Sequence, residues 1–214
     1  MSRPLRYDDP LDRIWLDTAQ RLGMNVTRSD QVYASWDGAG QLRLGTAETL
    51  DDDDGLAQMI LHEICHALVE GPQGRALPDW GLDNVSDADL PREHACHRVQ
   101  AALADRHGLR RFFAVTTDFR PYYDALPADP LAEDAPPHDP AIAPARDAFH
   151  RATNGPWAPT IERALAATAA VIRAAAPFAG PDSLLSTASF SPTSPRDEAA
   201  ATETGPDAPD DEAR

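Results

Sequence analysis

The sequence predicts an α+β domain that is mainly helical, with a small β-hairpin packed on one helix and an acidic C-terminal tail. Several segments carry apolar residues three and four positions apart, which is the period of a helix. Two short alternating segments flank a glycine-rich turn, which is typical of a hairpin. With 214 residues, the chain is long enough for one domain with its own hydrophobic core.

The first half of the chain supplies a helix, the hairpin and a strongly apolar second helix. The first helix is predicted over residues 10–22, and the hairpin over residues 31–36 and 41–45. The second helix is predicted over residues 55–70, ending before Gly71 and Pro72. The aspartates at 51–54 precede it, and we expect them to cap its N-terminus.

The second half is helical with polar interruptions. A third helix is predicted over residues 91–107, and two more over residues 141–153 and 159–176. The predicted organisation is a core domain (1–126), a Pro/Asp-rich linker (127–140), a helical extension packing on the core (141–177) and a tail (178–214). The tail is rich in Pro, Ser, Thr, Ala and acids, so we expect it to be disordered.

Charge and composition exclude several classes of function. The net charge of −16 argues against nucleic acid and against an anionic membrane surface as partners. No apolar run is long enough for a membrane helix, and no signal peptide is expected at the N-terminus. Two cysteines exclude a disulfide scaffold and favour a cytoplasmic location.

The second predicted helix contains the motif that carries chemistry, His62-Glu63-x-x-His66. Residues four apart lie on one face of a helix, so both histidines can ligate one metal ion. Glu63 is the next residue along the helix after His62. It can take a proton from a metal-bound water without being a ligand itself. The alternative is a pair of merely structural histidines.

This motif resembles the active-site helix of zincin metallopeptidases, over roughly residues 31–107. The resemblance implies zinc as the cofactor and a peptide or protein substrate, with Gln41–Gly45 as the strand lining the substrate cleft. The metzincin branch would need Gly at 69 and His at 72, but the chain has Val69 and Pro72. The gluzincin branch takes its third ligand from a glutamate on the next helix.

On this resemblance, Glu93 is the expected third ligand, 27 positions after His66. His97 shares a helix face with Glu93. We expect it to orient one of the metal ligands by a contact on the side away from the metal, or to assist catalysis. His94 or His97 could instead be the third ligand. An acid from the preceding loop, Asp79 or Asp83, is a further alternative.

Two other groups of residues have open roles. Cys65 and Cys96 could be buried packing residues, a disulfide between two helices, or thiolates that join the metal site or act as a redox switch. A zinc hydrolase also needs a donor for the developing oxyanion. The candidates are Tyr122, Tyr123, His107 and His97.

A second resemblance covers about 45 residues. His62-Glu-Ile-x-His66, then Asp79-Trp80-Gly81 and a glutamate-bearing helix, is similar to the elongation factor P hydroxylase family, although the intervening loop is shorter in this chain. It implies iron and oxidative chemistry at the same ligands. A third hypothesis is a non-catalytic, metal-stabilised binding module that interacts through the acidic tail.

Overall fold

A computed structural model of the chain describes residues 7–83, 87–114, 119–133 and 139–187. These residues form six α-helices and three strands, and they confirm the predicted α+β class. In chain order the elements are α1 (Pro10–Arg21), β1 (Asn25–Ser29), β2 (Ala34–Trp36), β3 (Gln41–Gly45), α2 (Leu56–Gly74), α3 (Leu90–Asp105), α4 (Arg120–Asp124), α5 (Ile142–Asn154) and α6 (Ala158–Ala175).

The sheet has the order β1-β3-β2 and contains the predicted hairpin. β2 pairs antiparallel with β3, and β1 pairs parallel with β3 on the other side. β1 was not predicted, because only Val26 among its apolar positions packs against the core and the segment shows no alternation. β3 is therefore the central strand, paired along both edges. The role of β3 in lining a substrate cleft stays a prediction, and β3 has no free edge along which an extended substrate could pair.

The start of α2 differs from the prediction. Its N-cap is Gly55, and the Gln58 side chain reaches back to accept a hydrogen bond from the Gly55 N–H. The aspartate run does not cap the helix. Asp54 instead accepts hydrogen bonds from the backbone N–H of Asp51, at 3.3 Å, and from the hydroxyl of Tyr33, which closes the loop before the helix.

α2 does not end at Gly71, as predicted, but is interrupted there by one residue with a non-helical conformation. Gly71 has φ 64° and ψ −165°, a conformation that favours glycine, and one more turn follows it. Pro72 has no N–H, so the Leu68 carbonyl lacks its helical donor. Arg151 of α5 replaces that donor: its Nε lies 2.7 Å from Leu68 O, which ties α5 to α2.

α2 is the central helix of the fold. Its buried residues lie on all sides, and it packs against α1, α3 and α5. The buried residues of α1, α2, α3, α5 and α6 form one hydrophobic cluster with those of the sheet. Across this cluster the Trp15 indole of α1 donates to Thr168 Oγ1 of α6 at 2.9 Å. None of the described helices is both long and apolar enough to cross a membrane.

Part of the predicted linker is fastened to α3. Arg98 of α3 is fully buried; its Nη1 donates to Pro130 O at 2.7 Å and its Nη2 to Asp139 Oδ2 at 2.7 Å. The described residues include the first part of the predicted tail, up to residue 187. Leu184 and Leu185 are partly buried against the core, because they are apolar residues within the otherwise polar segment. Residues 188–214 of the predicted tail lie outside the described residues.

Removing the Asp139 carboxylate should destabilise the protein. Asp139→Ala leaves the buried Arg98 guanidinium without its anion, at an expected cost of about 3 kcal/mol in the free energy of unfolding. Urea denaturation measures this. The control is Glu133→Ala, which removes an exposed pair with Arg146 and should cost below about 1 kcal/mol. Equal effects of the two substitutions would contradict the buried clamp.

Candidate metal centre

The candidate centre lies where α2 and α3 pack together. α2 contributes His62, Glu63 and His66, and α3 contributes Glu93 and His97, each set at helical spacing on a facing surface. Glu63, His66 and His97 are buried, whereas the side chains of His62 and Glu93 are 15% and 19% exposed. The centre is thus reached from the side of His62 and Glu93.

The side chains of three residues converge at this point. His62 Nε2 lies 3.0 Å from His66 Nε2 and 3.2 Å from Glu93 Oε1, and His66 Nε2 lies 3.4 Å from Glu93 Oε2. Four ligands at zinc bond lengths of about 2.0–2.2 Å in a tetrahedron stand about 3.3–3.6 Å apart. The separations of 3.0–3.4 Å are within a few tenths of an ångström of that range, so small movements of the side chains would give the spacing of a tetrahedral ion.

The tautomer of His62 is fixed by Gln100 of α3. Gln100 Nε2 donates to Phe113 O at 2.6 Å, so its amide oxygen faces His62 Nδ1 at 3.1 Å. That oxygen only accepts, so Nδ1 carries the proton and Nε2 presents a lone pair to the centre. A hydrogen bond of this kind on the outer nitrogen is usual for a metal-ligating histidine.

Cys96 occupies the corresponding position behind His66. Its Sγ lies 3.2 Å from His66 Nδ1, which leaves His66 Nε2 directed at the centre. Cys96 and Cys65 are both free and buried, and burial raises the pKa of both thiols. The structure therefore has no disulfide between the two helices and favours neutral thiols, with Cys96 holding a histidine rather than facing the centre.

The charges around the centre call for a cation. Burial would raise the pKa of Glu93, but His66 and His62 hold it well below its usual range, so Glu93 is ionised. Among the described residues no arginine pairs with Glu63 or Glu93. The neighbouring Arg92 and Arg98 are engaged elsewhere, by Glu70 and by Asp139 respectively. Without a metal, a proton on His66, whose pKa is raised well above its usual value, balances Glu93; a divalent cation that displaced this proton would take over that role.

Glu63 does not point away into solvent but is held by a tryptophan. The Trp80 indole donates to Glu63 Oε2 at 2.8 Å, and the Trp80 ring stacks on Trp36 of β2 at 4.6 Å and 3°. The turn that presents Trp80 has positive φ at Asp79 (45°) and Trp80 (61°), which is unusual for residues other than glycine. Asp79 Oδ1 fastens it by accepting from Trp36 N at 3.0 Å.

The ligand atoms of His62, Glu63 and His66 lie within 4.8 Å of one another, and so do those of His62, Glu93 and His97. The expected ligands and the expected base are thus brought together. Gln100 and Cys96, rather than His97, contact the outer nitrogens of the two histidines. His97 itself lies 3.8 Å from Glu93 through Nε2.

Several alternative ligands lie away from the centre. His94 stacks on the Tyr122 ring at 3.6 Å and 7°, on another face of α3. Asp79 is committed to the turn beside Trp36. Asp83 donates through its backbone N–H to Asp89 Oδ2 and belongs, within the described residues, to no group of converging ligand atoms.

Three of the four oxyanion candidates have partners away from the centre. The Tyr122 hydroxyl donates to Asp139 Oδ2 at 3.0 Å, the Tyr123 hydroxyl to Arg110 O at 3.1 Å, and His107 Nε2 lies 3.2 Å from Glu162 Oε1. His97 is the one of the four that adjoins the centre.

Gln100 and the contact between Trp80 and Glu63 were not predicted from the sequence. A signal existed for Gln100, which follows Glu93 by seven positions and His97 by three and so shares their helix face. No spacing rule places Trp80 against Glu63, because the contact depends on the strained turn at residues 78–81.

Comparisons with protein-family models, with curated proteins and with solved structures find no match to this chain. What supports a function is therefore the geometry of the described residues.

Gln100→Leu should weaken metal binding without removing a ligand. His62 Nδ1 then loses its acceptor, so the ring is free to rotate, and we expect the zinc dissociation constant to rise about 10–100-fold. Competition with a chromophoric chelator measures it. Gln31→Leu, at an exposed position, is the control and should leave the affinity unchanged. Unchanged affinity in Gln100→Leu would contradict the orienting role.

Zinc affinity should fall with decreasing pH. Burial lowers the pKa of His66, but Cys96 and Glu93 outweigh burial and raise it well above its usual value. A proton therefore competes with the metal for His66 Nε2 across the neutral range. The same titration, repeated between about pH 8 and pH 6, should show the dissociation constant rising about tenfold per pH unit. A flat profile would mean that no imidazole proton is displaced.

Proposed function

We propose that the protein is a zinc-dependent hydrolase, a metallopeptidase in which His62, His66 and Glu93 hold the ion. The supporting observation is the convergence of these three side chains, with separations of 3.0–3.4 Å between their ligand atoms, beside a buried carboxylate that is not needed as a ligand. Three protein ligands leave a fourth position for water, as in catalytic rather than structural zinc sites.

Zinc held by these residues would lower the pKa of a bound water toward 7 and would polarise a carbonyl oxygen. Glu63 then serves as the general base. Its Oε2 is held by Trp80, and Oε1, which has no hydrogen bond among the described residues, is the oxygen that takes the proton. Glu63 afterwards returns this proton to the leaving amine nitrogen. The Trp80 hydrogen bond keeps the carboxylate from rotating between the two transfers.

A peptide or protein substrate would approach Glu63 beside the sheet. β2 is an edge strand, and its Trp36 reaches Glu63 through the stacked Trp80. The outward N–H of Trp36 already donates to Asp79 Oδ1 at 3.0 Å, so β2 does not offer this donor to an extended substrate.

Iron-dependent oxygenation is the second candidate. Two histidines and one carboxylate with open positions also suit non-haem Fe(II), and His62, His66 and Glu93 are such a set. In this candidate Glu63 has no required role as a base.

Metal analysis of protein purified without added metal separates the two candidates. One zinc per chain supports the hydrolase, and one iron per chain supports the oxygenase. Protein that neither retains nor rebinds a metal contradicts both.

Glu63→Gln should abolish peptide hydrolysis while metal stays bound. The glutamine oxygen can still accept from Trp80 but cannot take a proton, so we expect turnover of a peptide library to fall by at least about 100-fold. Zinc content by mass spectrometry should remain one per chain.

The matched control is Glu162→Gln, an exposed carboxylate that pairs with Arg106, which should leave turnover intact. Full activity in Glu63→Gln would overturn the base assignment. A wild-type protein that binds zinc, melts at lower temperature without it and cleaves no peptide would instead support the metal-stabilised binding module.

A further inference from the structure

His97 is the polar side chain of the centre that the proposed hydrolase does not use. It is 1% exposed, and neither ring nitrogen has a hydrogen-bond partner among the described residues. Buried imidazole nitrogens are normally paired with protein or water. Burying both ring nitrogens of His97 without hydrogen bonds is unfavourable, so the presence of a histidine at this position has to be explained.

The position of the ring is well defined. It lies beside His62 at 5.2 Å between ring centres and 24° between planes, and it contacts Phe119 at 5.0 Å on another side. Its Nε2 is 3.8 Å from Glu93 Oε1, on the side where the ligand atoms of His62 and Glu93 lie. The outer nitrogens of His62 and His66 are already taken by other side chains. His97 therefore lies beside the centre and does not contact the outer nitrogen of either His62 or His66.

We propose that His97 is a fourth protein ligand, so that the centre has three imidazoles and one carboxylate. This inference rests on the metal centre of the proposed function. The separation of 3.8 Å is longer than the 3.0–3.4 Å of the other pairs. In a five-coordinate ion with bonds near 2.1 Å, neighbouring ligands stand about 3.0–3.6 Å apart, so a small shift of the ring completes the set.

The additional ligand restricts the metal and its chemistry. Four protein ligands fill a tetrahedral ion, so a water or a substrate oxygen binds only by raising the coordination number to five or six. Ions that accept these numbers readily, such as Fe(II), Mn(II) and Co(II), suit a three-histidine, one-carboxylate set. Zinc would serve as a five-coordinate ion.

X-ray absorption fine structure of the full chain loaded with Co(II) tests the proposal, because it counts imidazoles around the ion. We expect three in the wild-type protein and two in His97→Phe, which keeps an aromatic ring beside Phe119. The cobalt dissociation constant should also rise more than about 100-fold, beyond the range expected for an orienting residue. The control is His94→Phe, on the same helix but stacked on Tyr122, which should keep three imidazoles.

Two imidazoles in the wild-type protein would overturn the role of His97 and leave the proposed hydrolase standing. Because this count is made on the wild-type chain, it decides the matter even if His97→Phe does not fold. Wild-type protein that binds no cobalt would overturn both proposals together.

Discussion

The fold is organised around a set of polar side chains that are removed from water between two helices. His66, Glu63 and His97 are buried, and Glu93 is largely so, at the contact of α2 and α3. The inner nitrogens of His62 and His66 meet the ionised Glu93 there, so a proton on an imidazole or a bound metal ion must balance the carboxylate, and the nearby arginines are held by other acids. Burial is possible because α2 is the central helix and the core packs around it. In the proposed function, a metal ion balances this arrangement.

The surroundings fix the centre from several directions. Gln100 and Cys96 contact the outer nitrogens of His62 and His66 and so direct their inner nitrogens to one point. The sheet acts through the stacked tryptophans, whose indole holds Glu63. The turn that presents Trp80 adopts an uncommon backbone conformation, as is frequent where a side chain must be aimed at a functional group.

The sequence predicted what depends on local spacing. The helix carrying His62 and His66 follows from its apolar period, and the approach of Glu93 follows from a helix that returns after a loop. β1 was not predicted because its stability comes from pairing with β3 rather than from alternation. The role of Gln100 depends on Phe113 O, far along the chain, and that of Trp80 depends on a strained turn. Such contacts are tertiary and leave no periodic signal. Residues 51–54 show the opposite error, a local capping rule overridden by the Gln58 side chain.

The most direct test of the account is anomalous diffraction from crystals grown with zinc and recorded on both sides of the zinc absorption edge. We expect one strong peak between α2 and α3, with His62 Nε2, His66 Nε2 and a Glu93 oxygen each about 2.0–2.2 Å from it. No peak at that position, or a peak bound by other residues, would contradict the claim that these side chains form a metal centre.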